Sequence, residues 1–118
     1  MSLSINTGLV EEWFVLPGQE NEADPAKFKL KPLNQLNFME VSADTIRYRN
    51  GKLKPSGEAY GLALGAGLVG WDNILDQSGQ PLPFSIDNLA YIPAHAMMQV
   101  FERIYSISDL SEDDEKNS

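Results

Sequence analysis

Cysteine is absent from the 118-residue sequence, and histidine occurs once, as His95. Without cysteine the chain can form neither a disulfide framework nor a thiolate metal site, and a reducing compartment is expected. A zinc site around His95 would need several carboxylate ligands, which is an unusual donor set. The sequence therefore predicts that the chain holds no metal, and a lone histidine is typical of a partly exposed structural residue.

Long apolar runs are also missing. The longest weakly polar stretch, residues 59–71, is shorter than a membrane span and rich in glycine. Residues 1–10 contain neither a basic segment nor a continuous apolar run, so they do not resemble a signal peptide. We therefore expect no membrane partner.

The motifs expected of an enzyme are missing or incomplete. There is no GxSxG nucleophile motif, and no spacing among the 17 acidic residues selects a pair for acid–base chemistry. Residues 65–70 match GxGxxG, but they follow a predicted helix, whereas a dinucleotide site needs a preceding strand. A glycine-rich helix end explains them better. We predict no catalytic residue, no cofactor and no enzymatic activity.

What is present fits one small folded domain. A chain of this length with 42% hydrophobic residues is able to bury one core. We predict an α+β fold, in which an N-terminal β-hairpin packs on a small, mainly helical domain. Residues 1–108 would form this single domain, and residues 109–118 would form a disordered acidic C-terminal tail.

The net charge of −8 is unevenly distributed. Residues 1–26 carry −5, residues 27–54 carry +5, residues 55–108 carry −4, and residues 109–118 carry −4. The acidic total argues against general nucleic-acid binding, because phosphate neutralisation needs a positive surface. The basic middle segment keeps that alternative open, through Lys27, Lys29, Lys31, Arg47, Arg49, Lys52 and Lys54.

Two short segments near the N-terminus predict an antiparallel hairpin. Residues 12–16 are rich in aromatic and β-branched residues, and residues 27–31 alternate strictly between lysine and apolar side chains. The lysines are expected to lie across from Glu11 or Glu12. A lone hairpin is marginal in water, so its apolar face needs a helix or a partner chain.

A first helix is predicted over residues 35–43. Asn34 is a suitable N-cap, and Leu36, Met39 and Ala43 follow helical spacing. Residues 44–48 could extend this helix or turn away from it. Asn50-Gly51 is a strong turn signal.

A second helix is predicted to begin after Ser56 and to end between Gly67 and Gly70. Its apolar stripe is Tyr60, Ala63, Leu64 and Leu68. A second face repeats glycine every four residues, although each helical glycine costs roughly 1 kcal/mol relative to alanine. Close approach of a neighbour would explain this face, and we favour a neighbour from the same chain over a second copy. If a second copy packs there, the self-association residues are Gly57, Gly61, Gly65, Leu62 and Leu64.

The C-terminal half predicts a turn over residues 76–79, an extended link, and helical segments interrupted by Pro93. The last helix has an amphipathic stripe that we expect to be core rather than a partner-binding face. Trp13 and Trp71 are expected in the core, and either could instead be an interface anchor, since tryptophan is enriched in interface hot spots. The candidate partner-binding residues are Trp71, Phe84, Met97, Phe101 and Tyr105.

Residues 70–89 read Gly70-Trp71-Asp-Asn-Ile-Leu-Asp76-Gln-Ser-Gly79-Gln-Pro81-Leu-Pro-Phe84-Ser85-Ile-Asp-Asn88-Leu89. This segment resembles a recurrent pattern in small tail-assembly proteins of tailed bacteriophages. There a tryptophan-containing stretch meets an Asp–Gly turn, a Pro-x-Pro-Phe-Ser link and an Asn-Leu helix start. Residues 27–33, followed by a helix, are similar to the N-terminal region of those proteins.

This resemblance implies a tail assembly chaperone, which is a non-enzymatic protein. Such chaperones coat the tape measure protein in the bacterial host cytoplasm, tend to self-associate, and are absent from the finished particle. A phage or prophage origin is implied as well. Two alternatives stay open: a structural tail or head–tail connector protein, and a small nucleic-acid-binding accessory factor.

Overall fold

The computed structural model describes Ser2 and residues 10–117, with side chains up to Asp109 in the last helix. It has the predicted α+β fold, with strands and helices mixed along the chain. In chain order the elements are β1 (Glu12–Val15), β2 (Lys27–Leu30), α1 (Gln35–Ala43), β3 (Thr45–Arg47), β4 (Leu53–Pro55), α2 (Gly57–Gly67), β5 (Leu68–Asp72), a 3₁₀ helix (Asp87–Tyr91) and α3 (Ala94–Asn117).

A three-stranded antiparallel sheet contains the predicted hairpin. Strand β2 lies in the centre, and its register with β1 places Trp13 opposite Lys29. The expected pairing of lysine with acid is present, since Lys29 Nζ lies 3.3 Å from Glu11 Oε1. Strand β5 pairs with the other edge of β2 and places Trp71 opposite Phe28, an addition that the local sequence did not predict.

A second, two-stranded sheet occupies the region that the sequence left open. Strands β3 and β4 form an antiparallel hairpin with Ile46 opposite Lys54. The Asn50-Gly51 turn joins them, and Gly51 adopts the left-handed conformation at φ 85°. These strands of three residues are too short for an alternating pattern to stand out in the sequence.

Helix α1 has the predicted bounds, but the apolar residues whose spacing predicted it are not the ones that it buries. The side chain of Asn34 accepts a hydrogen bond from Asn37 N at 2.8 Å and caps the helix. Phe38 and Val41 are buried, whereas Leu36 and Met39 are 74% and 63% exposed and Ala43 is exposed as well. Helix α1 carries apolar residues on both sides, and Phe38 packs against the Tyr105 ring, with 5.2 Å between ring centroids.

Helix α3 forms the centre of the core. Its buried residues Met97, Val100, Phe101, Ile104 and Tyr105 match the predicted stripe and confirm its core interpretation. Helix α2 and the inner face of the three-stranded sheet contribute the facing side chains, including Ala63, Leu64, Phe28 and Leu30.

The predicted domain bounds, 1–108 and 109–118, stay predictions. The backbone of α3 is helical through Asn117, but the side chains beyond Asp109 lie outside the description, as do Met1, residues 3–9 and Ser118. In the part of the chain that is described, no helix has both the length and the apolar character needed to cross a membrane.

Candidate protein-binding cleft

The indole of Trp71 fastens the segment after β5 to the sheet. Its ring makes edge-to-face contacts with Phe28 and Phe84, with centroid distances of 6.3 Å and 5.0 Å. Its Nε1–H donates to the carbonyl oxygen of Leu82 at 2.7 Å. The polar end of the half-buried tryptophan is therefore satisfied, and residues 73–84 are held beside the sheet.

Hydrogen bonds organise residues 73–82 into a wall. Asp76 Oδ1 accepts from Ser78 N at 2.8 Å and from Gln80 N at 3.0 Å, and Gly79 adopts φ 80°, which confirms the predicted turn. Leu82 N donates to the Ile74 carbonyl oxygen at 2.7 Å. The side-chain amide of Asn73 donates to the Pro25 carbonyl oxygen at 3.0 Å, which links the wall to the β1–β2 loop.

An open apolar cleft of about 690 Å³ lies between this wall and the start of α3. Its floor consists of the buried residues Leu16, Phe28 and Ala96. Leu75 on one side and Tyr91 on the other are 59% and 75% exposed. Ile74, Leu82, Ile92 and Pro93 complete the walls.

Five polar side chains also line the cleft, and the chain's own backbone engages two of them. Gln19 Oε1 accepts from Ala26 N at 3.0 Å, and Asp76 is occupied by its turn. Gln77, Ser78 and His95 complete the polar part of the lining. This arrangement suits the burial of apolar side chains of a ligand, with few polar groups to orient it.

Tyr60 has a shifted pKa and lies away from this cleft. Burial raises the pKa of Tyr60 above its ordinary value of 10.0. Tyr60 lines a second, shallower hollow with Leu64, Leu89 and Met97, and it does not contact the main cleft. Within residues 10–109, no three histidine or acidic side chains lie close enough together to form a metal site. For the whole chain, the absence of a metal stays a prediction.

The five predicted partner-binding residues divide into two groups. Trp71 and Phe84 are half-buried and lie behind the cleft wall, where they support it. Met97, Phe101 and Tyr105 are buried in the core and offer little surface to a partner. Sequence reasoning missed Leu75 and Tyr91, and the available signal was their apolar character within a proline- and glycine-bounded segment.

The glycine face of α2 is open. A Cβ atom at Gly57, Gly61 or Gly65 would meet nothing within 4 Å, so the preferred interpretation, a neighbour from the same chain, is wrong for the described residues. Of the two flanking leucines, Leu62 is half-buried and Leu64 is buried. The close approach occurs instead at Gly67, where a Cβ would lie 2.6 Å from Ile104 Cγ2.

The GxGxxG match spans the junction of α2 and β5. Its first two glycines, Gly65 and Gly67, end the helix, and Gly70 lies in the following strand. The order is helix then strand, the reverse of a dinucleotide site, which confirms the interpretation as a glycine-rich helix end.

The seven basic residues of the middle segment do not form one surface. Lys27 and Lys29 lie over the exposed Trp13 ring on the outer face of the sheet, with Nζ atoms 5.1 Å and 5.7 Å from its centroid. Arg47, Arg49, Lys52 and Lys54 belong to the separate β3–β4 hairpin.

In comparisons with known proteins, no family model, no curated protein and no solved structure matches this chain. The resemblance to phage tail-assembly proteins therefore stays a prediction.

Proposed function

We propose that this chain is a non-catalytic protein-binding domain that takes an apolar segment of a partner into the cleft between Leu75 and Tyr91. The observation that carries the proposal is the exposure of these two large side chains above a buried apolar floor. An exposed apolar patch with a polar rim is typical of a protein interaction site. The lining suits the apolar side chains of a helical segment, whose anchors recur at spacings of three and four residues.

For the partner, we propose the tape measure protein of a tailed bacteriophage, bound in the bacterial host cytoplasm before tail assembly. The resemblance supports this choice because the segment that carries it, residues 70–89, includes one wall of the cleft and its aromatic support. Tape measure segments that await the tail tube need their apolar faces covered, and a cleft of this type meets that need.

Self-association belongs to the same proposal. Helices α1 and α2 together contain only two charged residues, Glu40 and Glu58. The exposed Leu36 and Met39 and the open glycine face leave little polar surface on these helices, which favours contact with a second copy. Several copies on one long partner would multiply weak individual contacts.

The test is co-expression with the tape measure protein encoded nearby, followed by pull-down and size-exclusion chromatography at low and high salt. We expect a soluble complex that resists salt, because the proposed interface is apolar. Leu75→Glu and Tyr91→Glu should each weaken capture at least about tenfold, in the range of interface hot spots. Ile86→Glu is the matched control, since Ile86 is exposed but does not line the cleft.

Two results would contradict the proposal. Unchanged capture by both cleft variants would exclude the cleft as the binding site. Failure to form a complex, together with the chain in purified phage particles, would favour a structural tail or connector protein instead.

A further inference from the structure

The β3–β4 hairpin is a basic element on an acidic protein. Residues 45–54 contain four basic residues and no acid, whereas the chain as a whole has a net charge of −8. Nothing in the proposed function of the cleft uses this hairpin, because no hairpin residue lines the cleft. Its charge therefore calls for a separate explanation.

The hairpin has two distinct faces. Leu53 on β4 packs against the core, and Arg47 lies opposite it in the register. Successive strand residues point to opposite faces, so Ile46 and Lys54, which form the neighbouring pair, point away from the core. The pairing continues through the hydrogen bond from Tyr48 N to the Lys52 carbonyl oxygen at 2.9 Å. The outward face therefore consists of Ile46, Tyr48, Lys52 and Lys54.

This outward face is exposed and its charges are not neutralised. Ile46 is 57% exposed, and Tyr48, Lys52 and Lys54 are exposed as well. Arg49, Lys52 and Lys54 form no ion pair with any other residue whose side chain is described. The apolar pair Ile46 and Tyr48 thus lies beside the lysine pair Lys52 and Lys54.

The opposite face already binds a carboxylate. Arg47 lies 3.8 Å from Asp109 Oδ2 and stacks over the Tyr105 ring, with its Cζ atom 5.5 Å from the centroid. Each partner is partly exposed, so this pair adds little stability. The Arg47 contacts do indicate which groups this hairpin can bind, namely a carboxylate next to an apolar side chain.

We propose that the outward face of the β3–β4 hairpin is a second protein-binding surface, which takes an acidic segment of a partner protein. Carboxylates of that segment pair with Lys52 and Lys54, and an apolar side chain beside them covers Ile46 and Tyr48. Charge complementarity favours such a partner and aids its encounter with the hairpin. A nucleic acid fits less well, because phosphates beyond this short hairpin would meet the acidic remainder of the protein.

The experiment measures fluorescence anisotropy of a labelled peptide with the sequence of residues 109–118, which carries five acids. Comparison probes are the same peptide with its acids as amides, and a labelled oligothymidylate. The protein is the full chain, together with a second form in which the chain's own acids cannot compete. That form carries Asp109→Asn, Glu112→Gln, Asp113→Asn, Asp114→Asn and Glu115→Gln.

We expect the acidic peptide to bind and to dissociate as salt rises from about 0.05 to about 0.5 M. Lys52→Gln with Lys54→Gln should weaken binding about tenfold. Lys27→Gln with Lys29→Gln, which removes the same charge from the sheet face, should leave the affinity unchanged. Circular dichroism checks that each variant is folded.

Three outcomes would overturn the proposal. The first is that neither form of the protein binds the acidic peptide. The second is equal binding of the amide peptide, which would exclude a role for charge. The third is binding of the oligothymidylate in preference to the peptide, which would assign the hairpin to nucleic acid.

Discussion

The hydroxyl of Ser108 joins two segments that are 75 positions apart in the sequence, because its Oγ accepts a hydrogen bond from Leu33 N at 2.8 Å. The same hydroxyl donates to the Ile104 carbonyl oxygen at 2.7 Å. Ser108 is only 2% exposed, so water cannot replace either contact. This bond connects α3 to the chain just before α1.

Ser108→Ala should destabilise the fold by about 1–3 kcal/mol, because it leaves the Leu33 N–H buried without an acceptor. Urea unfolding followed by circular dichroism measures the change. Ser106→Ala is the control, since Ser106 is exposed on the same helix and its replacement should have little effect. Equal effects of the two substitutions would contradict the assigned role of the buried hydroxyl.

Gly67→Ala and Gly61→Ala should change stability in opposite directions. A Cβ at Gly67 would lie 2.6 Å from Ile104 Cγ2, and Ile104 is fully buried, so we expect a loss of about 1–3 kcal/mol. A Cβ at Gly61 would meet nothing within 4 Å, so alanine there should stabilise α2 by about 0.5–1 kcal/mol. Thermal unfolding at low protein concentration compares the two, and a stable Gly67→Ala variant would show that the close packing is not required.

Trp71→Phe should loosen the cleft wall more than it disturbs the core. Phenylalanine keeps an aromatic ring between Phe28 and Phe84 but loses the hydrogen bond from Nε1 to the Leu82 carbonyl oxygen. We expect a stability loss of about 1 kcal/mol and faster amide hydrogen exchange in residues 73–82. Trp13→Phe, on the outer face of the sheet, should leave exchange in that segment unchanged.

Arg103→Lys tests a link between α3 and β1. Arg103 Nε and an Nη atom contact the two carboxylate oxygens of Glu12 at 2.7 Å and 3.3 Å, a fork that lysine cannot reproduce. Both side chains are partly exposed, so the expected loss is at most about 1 kcal/mol and should shrink at high salt. A double-mutant cycle with Glu12→Gln isolates the pair, and a coupling energy of zero would show that the ion pair does not stabilise the fold.

Tyr60 should contribute to a loss of stability at high pH. Burial raises its pKa in the folded state, so the folded chain holds the phenolic proton more tightly than the unfolded chain. That contribution is fully present below the ordinary value of 10.0 and is lost as the pH rises through the raised pKa. Tyr60→Phe should flatten the fall in unfolding free energy between neutral and strongly alkaline pH, and identical slopes would contradict the shift.

Local signals in the sequence predicted the first hairpin, the three α-helices and the turn at residues 76–79, because caps and turns depend on near neighbours. Asn34 predicted the start of α1, and the residue types at 76–79 predicted the turn there. The buried face of α1 could not be predicted in the same way, since Leu36 and Phe38 are both apolar and only packing against α3 selects between them. Strand β5 also depends on a distant segment, because it forms by pairing with β2.

The cleft was less predictable than the fold. The sequence singled out Trp71 and Phe84, which support one wall, but not Leu75 and Tyr91, which flank the opening. No periodic pattern marks these two residues, because Leu75 lies in an irregular segment and Tyr91 ends a short 3₁₀ helix. Only the tertiary structure brings both to the same cleft. The sequence suggested Met97, Phe101 and Tyr105 as partner-binding residues because their side chains have a large apolar surface. The same property explains why they are buried in the core.

The central position of α3 has a consequence for how the chain folds during synthesis. Phe28, Leu30 and Leu64 share one buried core with residues of α3, a helix that the ribosome makes after all the other described elements. At roughly 5–20 residues per second, about 2–7 seconds separate the completion of β5 from that of residue 108. During this interval the nascent sheet and α2 expose their apolar faces. The nascent chain itself therefore needs protection from aggregation until α3 emerges.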